Sequence, residues 1–159
     1  MPVITIITSI HAPQERCYDL SRSIDLHKAS MDHTGERAIA GRTSGLIWQG
    51  ETVTWSAVHF GIRQELEVRI TEMRRPDYFR DEMLRGAFRS FRHEHIFTHT
   101  DGVTEMKDVF DFESPMGPLG WLANVLFLST YMKRLLTQRN GVIKQYAESD
   151  SWREIIPHL

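Results

Sequence analysis

The chain has 159 residues, 41% of them hydrophobic and 25% charged, with a formal net charge of −2 and one cysteine. That length suits one domain with a substantial apolar core, expected to span 1–159. The charge gives no electrostatic footprint for nucleic acid or an anionic membrane, and lone Cys17 excludes an internal disulfide framework and every multi-cysteine zinc pattern.

No uncharged apolar run approaches the ~20 residues of a membrane span, so stable membrane insertion is not expected. The opening Met-Pro-Val-Ile-Thr-Ile lacks the basic start of a secretory signal, and the expected location is the cytoplasm. Val3 to Ile10 is β-branched and reads as a strand. Pro13 suits a helix start, where its missing N–H costs nothing, and two short helices follow, over about 13–19 and 21–29. Asp32 to Gly35 reads as a turn.

From Glu36 to Glu113 the hydrophobic period is two. Val53, Trp55 and Ala57 alternate with Thr52, Thr54 and Ser56. Leu66, Val68 and Ile70 alternate with Glu65, Glu67, Arg69 and Thr71. The pattern continues through Phe79, Asp81 and Met83, then Phe91, His93, His95 and Phe97, then Met106, Asp108, Phe110 and Phe112. Turn signals at Arg75-Pro76-Asp77 and Thr100-Asp101-Gly102 make these runs a six-stranded antiparallel meander. Arginines between Arg63 and Arg92 share that window with Glu65, Glu67, Glu72, Asp77, Asp81 and Glu82. This reads as the mixed-sign wet face of a sheet, not a phosphate patch.

One-sided alternation requires a cover for the apolar face. After the breaker Ser114–Gly120, Trp121, Leu122, Val125, Leu128, Met132, Leu135, Val142 and Tyr146 recur at helical spacing. A helix of roughly 25 residues spans about 38 Å, enough to cross a sheet, with Gly141 a point of weakness. The expected class is α+β: a curved antiparallel sheet of about seven strands wrapped around a long C-terminal helix, with two short helices after the first strand.

The order of elements, the Ile10-His11-Ala12-Pro13-Gln14-Glu15-Arg16 start and the long terminal helix resemble the START/birch-pollen-allergen superfamily, also called SRPBCC or polyketide cyclase/dehydrase-like. Tyr78-Phe79-Arg80-Asp81-Glu82-Met83, the Gly86–His95 stretch, Asp108-Val109-Phe110-Asp111-Phe112 and Ser114-Pro115-Met116-Gly117 resemble an uncharacterised bacterial branch of it. Its members have been called cell-division proteins or cyclases, and the residues themselves support neither name. The resemblance runs from Val3 to about Ser149 and implies a helix-grip fold with a cavity between sheet and helix. Members of the superfamily bind lipids, sterols, polyketides, hormones or quinones there, and a minority catalyse a reaction; fold alone does not choose.

Strand parity puts Trp55, His59, Leu66, Val68, Phe79, Asp81, Met83, Phe91, His93, His95, Met106, Asp108 and Phe110 on the concave face, and the helix adds Trp121, Leu128 and Met132. These are the expected ligand-binding residues. Asp81, His93, His95 and Asp108 stand out, because an isolated carboxylate on an apolar face is costly unless paired. A buried network fixing strand register, a ligand-orienting network and acid–base chemistry by His93 with Asp81 and Asp108 all fit these residue types. His93-x-His95 with Asp108 as third ligand also has metal-site spacing. The glutamate and second half-motif of a cupin are missing, and neither metal nor cofactor is expected.

Cys17 reads as a small buried hydrophobe. The Gly41–Gly50 loop, with Leu46, Ile47 and Trp48, reads as one lip of the cavity. The apolar segment Leu119–Leu128 offers a lid, a homodimer surface or a transient membrane contact. The leading expectation is binding of a small hydrophobic molecule for storage, transport or sensing, without catalysis. The alternatives are a cofactor-free cyclase/dehydratase-type enzyme and a protein-interaction module with a filled core.

Overall fold

A computed structural model describes residues 2–115 and 121–159, without the side chains of 121–124. The elements are β1 (Val3–Ile10), α1 (Gln14–Ser21), α2 (Ile24–Ser30), a 3-10 turn (Asp32–Thr34), β2 (Arg37–Gly41), β3 (Thr52–His59), β4 (Ile62–Arg74), β5 (Tyr78–Arg85), β6 (Ser90–Thr100), β7 (Val103–Glu113), α3 (Trp121–Glu148) and α4 (Trp152–Ile155). This is the α+β architecture expected from the sequence.

The seven strands form one sheet in the order β1-β7-β6-β5-β4-β3-β2, antiparallel throughout. β1 closes the edge beside β7, and α1 and α2 carry the chain to the opposite edge, where the meander begins. Ser23 caps α2, its Oγ accepting from the Leu26 N–H, which satisfies one otherwise unpartnered donor. Register shifts between Ala38 and Ala40, Glu67 and Val68, and Ile70 and Glu72 locally bend the sheet.

Two hairpins close through two-residue turns with both central residues at positive φ: Asp101–Gly102 (52° and 79°) and Phe60–Gly61 (54° and 74°). This signature belongs to type I′ turns, whose twist matches that of paired strands. The first carries the expected Asp-Gly pair. The second puts an aromatic residue where Asn or Gly is usual, so its sequence signal is weak.

Along β7 burial alternates strictly, with Thr104, Met106, Asp108, Phe110 and Phe112 inward. The outer face carries cross-strand pairs such as Arg80–Glu72 (3.6 Å), Arg85–Glu65 (3.5 Å) and Arg92–Asp111 (3.9 Å). That is the expected mixed-sign surface, whose exposed pairs contribute little each.

α3 has 28 residues and runs through Gly141 without interruption. Its buried face includes Val125, Leu135, Leu136, Arg139, Asn140, Ile143 and Ala147. The stripe read from the sequence lacks Leu136, the polar pair, Ile143 and Ala147. The short α4 carries no clear sequence signal: Trp152 is buried beneath the Arg16 guanidinium, 4.2 Å from its ring centroid. Cys17 is fully buried, as expected. Part of the Ser114–Gly120 breaker, 116–120, lies outside the described residues.

Candidate functional site

A cavity of about 420 Å³ lies between the sheet and α3, within the range of roughly 300–1,000 Å³ usual for small-molecule sites. Trp55 and His59 on β3, Leu66 and Val68 on β4, Phe79 and Asp81 on β5, and Phe91, His93 and His95 on β6 line it. Phe110 on β7 and Leu128 and Met132 on α3 complete the expected residues found there. The exposed lining residues Phe60, Glu65, Ala87 and Pro115 mark its mouth.

Three expected residues do not line it. Met106 is fully buried and accepts a 3.2 Å hydrogen bond from Ser21 Oγ, because α1 covers that end of the concave face. Met83 shares the inward parity but tucks against the turn at Gly86, where an added Cβ would stand 2.9 Å from its sulfur. Asp108 lies behind the two histidines, with no exposure at all. The side chain of Trp121 lies outside the described residues.

Strand pairing explains the polar cluster. His93 stands opposite Asp81, and His95 opposite Asp108. The hydrogen bonds run along the diagonals instead. His93 Nε2 meets Asp108 Oδ1 at 2.8 Å, and His95 Nε2 meets Asp81 Oδ1 at 2.9 Å. Phe79 stacks on the His95 ring with centroids 4.0 Å apart, and Phe110 meets the His93 ring edge-on at 5.3 Å. Both imidazoles are thus held in place by aromatic neighbours.

Asp108 is tied to α3 as well. Asn140 Nδ2 donates to its Oδ2 at 2.6 Å, and Arg139 Nη1 to its Oδ1 at 3.4 Å. Burial alone would raise the Asp108 carboxyl, but His93, hydrogen-bonded to it, and the His95 ring 3.1 Å away hold it well below the usual carboxylate range. Asp81 is also lowered, its His95 hydrogen bond and the His93 charge overcoming burial. Burial and the neighbouring His95 lower His93. For His95 burial acts downward too, but the adjoining Asp108 and Asp81 carboxylates outweigh it and the group is raised. Imidazoles meet both carboxylates, and Arg139 also faces Asp108. That pairing lets the cluster sit against an apolar cavity without an isolated charge.

Two polar atoms remain available. Asp81 Oδ2 and His93 Nδ1 make no hydrogen bond among the described residues, and neither is sealed from solvent. At the rim His59 Nδ1 and the Tyr131 hydroxyl are 2.6 Å apart, and the Phe60 ring packs on Tyr131 and Phe127 at 4.6 and 5.2 Å. This clasp joins the β3–β4 turn to α3. Ile47 lines the cavity from the Gly41–Gly50 loop, while Trp48 is half exposed beneath the Arg22 guanidinium.

Sequence reasoning missed Tyr131, Arg139 and Asn140. Arg139 does fall on the α3 period of three and four that runs through Leu128, Met132, Leu135 and Ile143, so its position carried a signal. A polar residue on an apolar stripe needs a buried partner, and here the partner is Asp108.

The architecture is shared with solved structures. TTHA0849 from Thermus thermophilus is 18% identical with a TM-score of 0.71, over 93% of this chain and 100% of that one. Major latex-like protein 151 from Panax ginseng is 13% identical with a TM-score of 0.65, over 93% and 98%. Ara h 8.0201 is 11% identical with a TM-score of 0.64, over 92% and 97%. No family model and no curated relative matches the chain. The chain shares the fold of these structures, a curved antiparallel sheet around a long C-terminal helix with two short helices after the first strand, as expected from the sequence. Among the described residues, no helix is long and apolar enough to cross a membrane.

Proposed function

We propose that the protein binds a small, largely apolar molecule in this cavity, for storage, transport or sensing, without covalent chemistry. The observation that carries the reading is the cavity of about 420 Å³, apolar over most of its wall and polar at the Asp81–His93–His95 cluster. Burial of apolar surface supplies affinity. Asp81 Oδ2 accepts from a ligand hydroxyl or amine, and His93 Nδ1 offers a second polar contact that fixes orientation. The fold supports the reading, since ligand binding is general in the superfamily it resembles.

Native mass spectrometry of freshly purified protein, followed by extraction and identification of whatever is retained, tests it. The expected result is a retained apolar molecule, or thermal stabilisation by members of a hydrophobic library. Repeatedly empty protein with no thermal shift would overturn the reading and favour an interaction module. His93 Nδ1, which makes no hydrogen bond among the described residues, favours one further reading, a cyclase- or dehydratase-like acid–base enzyme. In that case the identified ligand would be turned over, and His93→Ala would abolish turnover while leaving binding in place.

A further inference from the structure

We propose that His93 Nδ1, His95 Nε2 and a carboxylate oxygen of Asp81 form a site for a divalent transition-metal ion on the cavity wall, with Asp108 as the outer partner of both imidazoles. One ligand atom from each of Asp81, His93 and His95 lies within 4.8 Å of the other two. His95 Nε2 stands 2.9 Å and His93 Nδ1 4.0 Å from Asp81 Oδ1. Donors sharing one metal at about 2.0–2.2 Å stand roughly 3 to 3.5 Å apart, so the first spacing is close and the second needs about half an ångström of movement. Sequence spacing nominated Asp108 as the third ligand; the structure puts Asp81 there and Asp108 behind.

The outer nitrogens carry the argument further. His93 Nε2 is 2.8 Å, and His95 Nδ1 3.1 Å, from the same Asp108 oxygen. A carboxylate behind each ligating histidine fixes its tautomer and ring direction, the usual support of such sites. As the cluster stands, His95 spends its Nε2–H on Asp81. Its Nδ1 is sealed from solvent and makes no hydrogen bond among the described residues, because the approach to Asp108 is close but misaligned. A network that only fixed strand register would leave that buried atom wasted. With the proton on Nδ1 instead, a small rotation of the ring lets Asp108 accept it, and the Nε2 lone pair is freed for a cation shared with Asp81.

Two imidazoles and one carboxylate suit Fe(II), Co(II), Ni(II) or Zn(II) rather than the all-oxygen shells of Ca(II) or Mg(II). The remaining positions face the cavity. A divalent ion with two carboxylates and Arg139 leaves one net positive charge, which favours an anionic oxygen donor from that side. The inference does not rest on the apolar-ligand reading, because the ion would bind whether or not an organic molecule does.

The test uses chelator-stripped, full-length protein titrated with Zn(II) by calorimetry and with Co(II) by visible absorption. The expected result is one equivalent of each, with Co(II) giving ligand-field bands. Asp81→Asn and His93→Gln should weaken Zn(II) binding at least 100-fold, Asp108→Asn 10- to 100-fold, and His99→Gln should leave it unchanged. Imidazole-nitrogen NMR of the unaltered protein reads the site even if a variant fails to fold. Zn(II) should shift His93 Nδ1 and His95 Nε2. Absence of saturable one-to-one binding, binding indifferent to Asp81→Asn and His93→Gln in folded variants, or unshifted nitrogens would each overturn the proposal.

Discussion

Asn140 on α3 donates a 2.6 Å hydrogen bond to Oδ2 of Asp108 on β7, and both residues are buried. This bond fastens the long helix to the sheet through a carboxylate that also receives His93. Asn140→Ala leaves a buried carboxylate oxygen without its donor and should destabilise the protein by about 1–3 kcal/mol. Asp108→Ala also strands His93 and Arg139 and should cost more, about 3–5 kcal/mol. Urea unfolding of the three proteins gives the comparison. If Asn140→Ala were as stable as the parent, the helix-to-sheet tie would have no energetic weight.

The Phe60–Gly61 turn holds Phe60 at φ 54°, a left-handed conformation uncommon for an aromatic residue. Contacts with Tyr131 and Phe127 hold the ring there. Phe60→Asn would create the Asn-Gly pair that type I′ turns prefer while removing the clasp at the cavity mouth. Thermal stability should stay level or rise, and release of a bound fluorescent fatty-acid probe should quicken severalfold. A release rate equal to the parent's would show that the clasp does not gate the mouth.

The fold was legible because β3 to β7 alternate apolar and polar residues with little interruption, and a period of two has one structural meaning over that length. The inward parity of Asp81, His93, His95 and Asp108 followed from the same pattern. What the pattern could not reveal is which inward positions face a cavity and which face another element. Met106 and Phe110 have the same parity on β7, but α1 lies over Met106 alone. Asn140 was obscured for a related reason, since helical spacing assigns a polar residue to solvent until a buried carboxylate is known to stand opposite. Phe60 carried no turn signal of its own.

His59 tests the rim electrostatically. Burial lowers its pKa from the ordinary 6.5, with Glu36 opposing and His33 reinforcing the shift, and Tyr131 bonds its Nδ1. The folded form therefore takes up the His59 proton at lower pH than the unfolded chain. Its contribution to stability is fully present above pH 6.5 and is lost as pH falls from there through the depressed folded value. The His59 ring should titrate below 6.5 by NMR, and His59→Gln should flatten the fall in melting temperature over that window. A ring titrating at or above 6.5 would contradict the burial argument.

Cys17 provides a second pH marker, remote from the cavity. Burial pushes its thiol up to about 11, and only the thiolate is nucleophilic. Ellman's reagent at about pH 8 should therefore label native protein no faster than the protein unfolds, and label it at once in denaturant. Rapid native labelling would mean that α1 opens readily.

The cavity itself can be filled from within. Val68 lies on its wall on β4, directly opposite Val53 and packed in the core. In a filled interior Val68→Phe would force neighbours apart and cost about 1–3 kcal/mol. Against a cavity of about 420 Å³ the added ring atoms instead find open space and gain contacts, so stability should hold or rise. The same ring occupies the volume available to an apolar guest, and binding of a fluorescent fatty-acid probe should fall at least tenfold. Loss of stability with unchanged probe binding would place the guest elsewhere. Retained stability with lost binding would tie the apolar site to the wall between β4 and α3.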